Sequence, residues 1–239
     1  MDSKQYLRRL YEGLGDIKND FRNYNLYNLV RLKSKGPRVL DIGCGSGYFL
    51  CLMAGQGKSV AGLEPNQDLL KLAQRPENIV HGRAEDLENL FFSKFDDICM
   101  LDTLEHLEDD RLIINKVFNL LEPNGRFVLV VPAHPYLYGK RDENCGHFRR
   151  YSKNDLTEKL KAAGFKIKEI KYWNMLGLPI YWFYERMLNK ELNTSLRKKQ
   201  KNKNFLGKFL SSALNFYFRI IENKMNLGFG LSIICVAEK

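Results

Sequence analysis

Val39-Leu40-Asp41-Ile42-Gly43-Cys44-Gly45-Ser46-Gly47 decides how the chain is read. Val39–Ile42 is an apolar, β-branched run just after Gly36-Pro37, so it reads as a buried strand. Three glycines then alternate with small residues, and Tyr48–Ala54 follows as a nearly continuous apolar segment that reads as a buried helix. Strand, glycine turn and helix open a nucleotide-binding α/β fold. Glycines let the backbone turn tightly and let a ligand lie against it with no Cβ in the way. The spacing is G-x-G-x-G, whereas a phosphate-binding turn has G-x-G-x-x-G. Asp41 precedes the first glycine, and a carboxylate there repels an anion and attracts a cationic amino-acid group. Glu64 ends the next apolar strand, Ser59–Leu63, about twenty residues on, where an acid can take both hydroxyls of a ribose.

Asp41–Gly47 together with Glu64 resembles the first motifs of class I S-adenosylmethionine (SAM)-dependent methyltransferases, in the type 11/23-like, ubiquinone-biosynthesis-like branch. SAM carries an ammonium and a sulfonium and no phosphate, which suits these electrostatics. The resemblance implies that Asp41 fixes the methionine end, that Gly43, Gly45 and Gly47 admit the cofactor, and that Glu64 holds the ribose. In the family the loop after strand three reads G-D-A-x-x-L, and its first acid reaches the adenine amino group. Here that position is Arg83, a departure that leaves Ala84 with Glu85 or Asp86 to supply the adenine contacts. Leu101-Asp102-Thr103-Leu104-Glu105-His106-Leu107 resembles the family's fourth motif, whose backbone, at Leu101 and Asp102 here, borders the methionine part of SAM. His106 is then a candidate general base, since an unperturbed imidazole titrates near pH 6.5; the alternative is that Glu105 and His106 cap and orient the loop.

Alternation of strands and helices continues along the chain. Expected strands are Ser59–Glu64, Asn78–His81, Asp96–Leu101, Arg126–Val131, Phe165–Ile170 and Leu231–Ala237; expected helices are Asn66–Gln74, Asp109–Leu121 and Lys153–Ala163. Ser152 is the N-cap of the last, with Asp155 at N3 and Gly164 as its stop. Seven strands with alternating helices specify an α/β, doubly wound, mostly parallel sheet. The whole chain reads as one methyltransferase domain: N-terminal helices or lid over 1–35, core over 36–171, helical appendage over 172–230 and last strand over 231–239. Stripes at Tyr6, Leu7, Leu10, Tyr11 and Leu14, and at Tyr24, Leu26, Tyr27, Leu29, Val30 and Leu32, mark the N-terminal helices.

The connection after strand five, Val131–Ser152, is long and irregular, and loops of that length in compact domains are usually functional. Its pattern V-P-A-H-P, then G-H-x-R-R-Y, resembles methyltransferases found beside glycan-assembly enzymes. His134 and His147 are candidates for substrate contact or proton removal, and Arg149 or Arg150 for holding an anionic group. His147 and Tyr151 could equally lock the loop.

The 239 residues carry a formal net charge of +10 and 44% hydrophobic content, enough for a sizeable core and suggestive of an acidic partner. Five cysteines form no C-x-x-C pair and no metal-ligand spacing, so a cytoplasmic location and core packing are expected rather than disulfides. The N-terminus lacks the apolar stretch of a signal peptide, and no uncharged run reaches the ~20 residues of a membrane span. Between Tyr172 and Gly230 lie an aromatic cluster (Trp173 to Tyr184), a basic run (Arg197–Lys203) and an apolar helix face from Leu206 to Ile221. This appendage reads as a cap on the core or a second subunit, or as a peripheral contact with an anionic membrane.

The activity implied is SAM-dependent methyl transfer to a hydroxyl of a small-molecule, sugar, glycan or lipid-like acceptor, with no metal assigned. The charge keeps an RNA methyltransferase as a rival. A non-catalytic adaptor of the same fold is another.

Overall fold

The computed structural model describes residues 20–188, 190 and 212–239. The stripe at Tyr6–Leu14, the basic run 197–203 and the apolar positions 206–210 lie outside them.

The first described helix, α1 (Phe21–Lys33), starts where the Asp20 side chain accepts from the Asn23 N–H. The glycine-turn unit follows as β1 (Arg38–Ile42) and α2 (Tyr48–Ala54). Next come β2 (Ser59–Glu64), α3 (Gln67–Leu70), β3 (Ile79–His81), α4 (Leu87–Leu90) and β4 (Phe95–Leu101). Then come α5 (Asp110–Leu120), β5 (Leu121–Pro132), α6 (Lys140–Cys145), α7 (Lys153–Ala162) and β6 (Lys166–Trp173). The appendage contributes α8 (Gly177–Trp182) and a π-helical turn at Tyr217–Glu222, and β7 (Ser232–Glu238) closes the sheet.

The seven strands lie in the order β3-β2-β1-β4-β5-β7-β6, with β7 antiparallel to both neighbours. The remaining pairs are parallel. Side chains alternate across each strand, and the core divides accordingly. Ile98, Met100, Phe127, Leu129, Ile233 and Cys235 pack with α5 and α7 on one face. Cys99, Val128, Val130, Ile234 and Val236 pack with α1 and α2 on the other. Both faces of the central strands are dry, which is why β5 reads as unbroken apolar sequence.

The main departures from the sequence expectation begin with β5, which starts at Leu121 rather than at Arg126. The helix after β2 stops at Leu70, because Leu72 and Ala73 donate to Leu69 and Leu70 in successive turns and Gln74 turns back to the Ser46 carbonyl. Asn66 is its N-cap and not its first residue. β6 runs on to Trp173, whose ring is fully buried and whose Nε1 donates to Asn223 at 2.9 Å. The pattern of alternating charge ends at Ile170, but β7 still offers a partner for Lys171, Tyr172 and Trp173. Finally, the irregular connection after β5 contains α6, closed by Gly146 in the left-handed region.

All five cysteines are free, and Cys44 and Cys145 are buried along with Cys99 and Cys235. No described helix is long and apolar enough to cross a membrane. Within the described appendage, Phe218, Leu214 and Tyr217 pack on the α1 face of the core, and Tyr181 packs with Leu137 and Leu231. Phe216, Trp182, Phe183 and Met187 remain exposed.

One buried acid ties the long connection to the core. Asp110, at the start of α5, accepts from Tyr151 Oη (2.9 Å) and Lys159 Nζ (2.6 Å) and pairs with Arg149 (3.0 Å). Burial works against its charge, yet Lys159, Arg149 and Tyr151 hold its carboxyl below the ordinary value of 3.8. Asp110→Ala should lower unfolding stability by about 3 kcal/mol in denaturant titration, since it strands buried cations. A group with a lowered folded pKa stabilises above its unfolded value, so that deficit should shrink as pH falls below 3.8.

Candidate active site

The glycine turn places the carboxyl ends of β1, β2 and β4 around one cleft, the usual ligand position in such sheets. Gly43 and Cys44 both donate to the Leu63 carbonyl, at 2.7 and 3.1 Å, which bends the chain sharply after β1. Gly43 has φ +75°, and a Cβ there would lie 2.4 Å from Thr103 Oγ1. Glycine is required at this position by conformation and by contact together. Gly45 and Gly47 also take positive φ.

Asp41 is the penultimate residue of β1 and Glu64 the last of β2, and they are 3% and 5% exposed. Burial pushes the Asp41 carboxyl well up, and the neighbouring Glu64 adds to it. Glu64 is raised as well, chiefly by burial. Its two oxygens accept from the Gly45 and Asn66 N–H groups, each at 2.8 Å, so the carboxylate is held rigidly against the turn. Neither acid pairs with a described cationic side chain at ion-pair distance. Two uncompensated buried carboxylates beside a bare backbone bend suit a positively charged ligand with a diol, and SAM has both features.

The adenine-side residues form a 3-10 turn, Ala84–Asp86. Ala84 is buried, whereas Glu85 pairs with Arg83 at 3.0 Å and Asp86 is exposed. Arg83 thus occupies one of the two acids left for adenine.

On the β4 side, Asp102 adopts φ +53° and its carboxylate is clasped by Arg22 of α1, with contacts of 2.5 and 2.9 Å. Arg22 also donates to Ser232 at 3.2 Å, so one guanidinium joins the N-terminal helix, the fourth motif and the last strand. Nothing in the sequence pattern around Arg22 signals this role.

Next to Asp102 lies a cavity of about 150 Å³, bordered by Gly43, Leu101, Glu105, His106, Arg141 and His147. Gly43, the first residue of the glycine turn, forms part of its wall. His106 and His147 meet here edge to face, ring centroids 4.6 Å apart, although 41 residues separate them. Burial, and then the neighbouring His147, lower His106 to about 4, so its ring is neutral at physiological pH. His147 Nδ1 donates to Asp142 Oδ1 at 2.7 Å, leaving Nε2 for the cavity. Asp142 also accepts from Arg150, Tyr181 and the Gly139 N–H. Burial disfavours its charge, but His147 and Arg150 bring it down to about 2.

His134 is not brought to this cavity. Its ring stacks on Tyr172 at 5.0 Å, and its Nε2 contacts the Gly230 carbonyl at 3.0 Å. Arg149 reaches Asp110 and the Glu108 carbonyl, away from the cavity, whereas Arg150 borders it while bonded to Asp142. Arg141 and Asp142 were not singled out by sequence; a helix inside a polar loop gave them no periodic signal.

A methyltransferase-domain family model matches residues 7–170. This chain belongs to the class I SAM-dependent methyltransferases. A probable S-adenosylmethionine-dependent methyltransferase of Mycolicibacterium smegmatis is 29% identical over 167 residues, covering 67% of this chain and 65% of that protein. The ubiquinone biosynthesis O-methyltransferase of Xylella fastidiosa is 32% identical over 169 residues, covering 60% of this chain and 67% of that protein. The chain therefore spans about two thirds of the length of these curated relatives. A Thermotoga maritima SAM-dependent methyltransferase, described as a possible histamine N-methyltransferase, superposes with TM-score 0.62 at 18% identity over all of both chains, which establishes the fold. SAM is the methyl donor in this family.

Gly43→Ala should destabilise the methyltransferase by about 1–3 kcal/mol through positive φ and the Thr103 clash. Combining it with Thr103→Gly should recover only part of that loss in thermal melts, because the φ penalty remains.

Proposed function

We propose that the protein transfers the methyl group of SAM to a hydroxyl of a small-molecule, sugar or lipid-like acceptor seated in the cavity beside Asp102. The meeting of His106 and His147 at the methionine end of the cleft carries this reading. SAM supplies an activated methyl on a sulfonium. In this reading Asp41 faces the methionine end, Glu64 takes the ribose hydroxyls, and the Leu101–Asp102 backbone and Ala84–Asp86 turn border the cofactor.

The chain's own residues do the rest. Gly43 of the glycine turn and Arg22 of α1 wall the cavity, and holding donor and acceptor in line there would supply much of the rate. Asp142 fixes the His147 tautomer, so Nε2 is free to receive a hydroxyl proton. His106, neutral by burial, borders the same space. The preference for oxygen as acceptor atom is supported by the O-methyltransferase relatives and by Val131-Pro132-Ala133-His134 standing where an amino-methylating enzyme would carry N-P-P-[YF].

Glu64→Ala should weaken SAM binding by at least about tenfold in calorimetry, because two hydroxyl contacts to a charged acceptor are removed; unchanged affinity would refute the ribose assignment. Radiolabelled SAM incubated with fractionated cell extract should mark a lipid, glycan or small-molecule fraction. Label confined to RNA would replace the proposed acceptor class.

A further inference from the structure

The appendage between β6 and β7 exposes what globular helices bury. Among the described residues, ten of the exposed large apolar side chains lie between Leu176 and Phe229, against seven in the rest of the chain. Leu176, Ile180, Phe183 and Met187 recur at helical spacing along α8 and the π-helical turn that continues it, Phe183–Met187, and all four are exposed. Trp182, 46% exposed, flanks that stripe. On the helical segment 212–222, Phe216 and Ile220 form a second outward stripe together with Arg219.

The inward faces carry the acids. Glu185 is 7% exposed and lies against Gly139, where a Cβ would meet its Oε2 at 2.8 Å. Glu222 is 1% exposed and accepts from Tyr217 Oη at 2.5 Å and from the Met175 N–H at 3.1 Å. These are the only acids among the described residues from 174 to 230, whereas the bases there, Arg186, Lys190, Arg219 and Lys224, are all exposed. A water-facing helix does the reverse, turning its apolar stripe inward and charges of both signs outward.

We propose that this face of the appendage docks on an anionic lipid bilayer. Its aromatic and aliphatic groups enter the headgroup boundary while arginine and lysine meet the lipid phosphates, the combination that interfacial helices use. The sequence between the two helices adds Arg197-Lys198-Lys199-Gln200-Lys201-Asn202-Lys203, of the same sign. A second copy of the chain is the poorer occupant, because a face whose exposed charges are all positive repels itself across a two-fold contact. Docking also bears on the site. Tyr181 of α8 lines the cavity with Leu231, while its neighbours Ile180 and Trp182 face outward, so one helix separates the cavity from the docked face. On the methyl-transfer reading, on which this step rests, the acceptor is then a lipid-borne hydroxyl.

Vesicle binding needs neither SAM nor acceptor, so it fails or succeeds apart from the methyl-transfer reading. The full chain is floated with vesicles of phosphatidylcholine alone, or of phosphatidylcholine with about one third phosphatidylglycerol. Binding at least about tenfold tighter to the anionic vesicles is expected, and high salt should weaken it. The chain has two tryptophans, Trp173 fully buried and Trp182 exposed, so quenching by brominated lipid tails reports on Trp182 and is expected on docking. Ile180→Ser/Phe183→Ser/Met187→Ser and, separately, Arg219→Glu/Lys224→Glu should each weaken binding to anionic vesicles at least about tenfold. No binding by the wild type, no preference for anionic lipid, or undiminished binding by either variant overturns the proposal. So does a wild-type dimer in sedimentation equilibrium that the Ile180/Phe183/Met187 variant abolishes. Should that variant misfold by circular dichroism, the Arg219/Lys224 variant and the brominated-lipid quenching decide, and absence of quenching counts against docking.

Discussion

Uncompensated negative charge at one edge of the sheet is the constraint to which the rest of this structure answers. The chain carries a formal net charge of +10, yet five acids crowd the cleft: Asp41, Glu64, Asp102, Glu105 and Asp142. Removing a carboxylate from water costs several kcal/mol even after relaxation. The protein neutralises two of them itself, Asp102 with Arg22 and Asp142 with Arg150. For Asp41, Glu64 and Glu105 no described lysine or arginine is supplied at ion-pair distance. That division separates acids used to build the cleft from acids left for what the cleft receives. Under the proposed function, a cationic amino acid bearing a ribose would answer the first pair.

The fold was legible because it rests on local patterns. The order of apolar runs, the glycine turn and the Ser152 cap each announce themselves within a few residues, and the structure keeps them nearly unchanged. Errors fall where tertiary partners decide. Helix propensity after Asn66 is overridden once the chain bends back toward Ser46, and Trp173 joins the sheet only because β7 lies alongside it. The positions of Asp41 and Glu64 at the carboxyl edge were equally readable, since they follow from the strand pattern. The meeting of His106 and His147 was not: it arises only because α6 and its Gly146 stop bring the long connection back to the turn after β4, where the Phe148 N–H donates to the Glu105 carbonyl. His134 shows the converse, a histidine in a suggestive motif that the fold spends on a stack with Tyr172.

Arg22 gives the N-terminal helix a meaning beyond covering the sheet. It contacts Asp102 and Ser232 and lies 5.8 Å over the Trp173 ring, so its position is fixed from three elements. Displacing α1 would expose the Asp102 carboxylate directly beside Glu105, raising the negative charge in the cavity. The placement of α1 and the charge balance of the site are therefore tied through one side chain.

The same logic explains why the connection after β5 is long. A short link would suffice to join β5 to α7, but it would carry neither Asp142 nor His147. Asp142 accepts from four donors on three segments, including Tyr181 of the appendage. Through that one carboxylate the appendage sets the orientation of the His147 ring. A cap packed on the core through Tyr181 and Phe218 is thus tied to the His147 ring through Asp142, whatever its exposed aromatic face meets. The cavity thus draws on both halves of the chain, with α1 and the turn after β4 on one side and the irregular connection after β5 on the other.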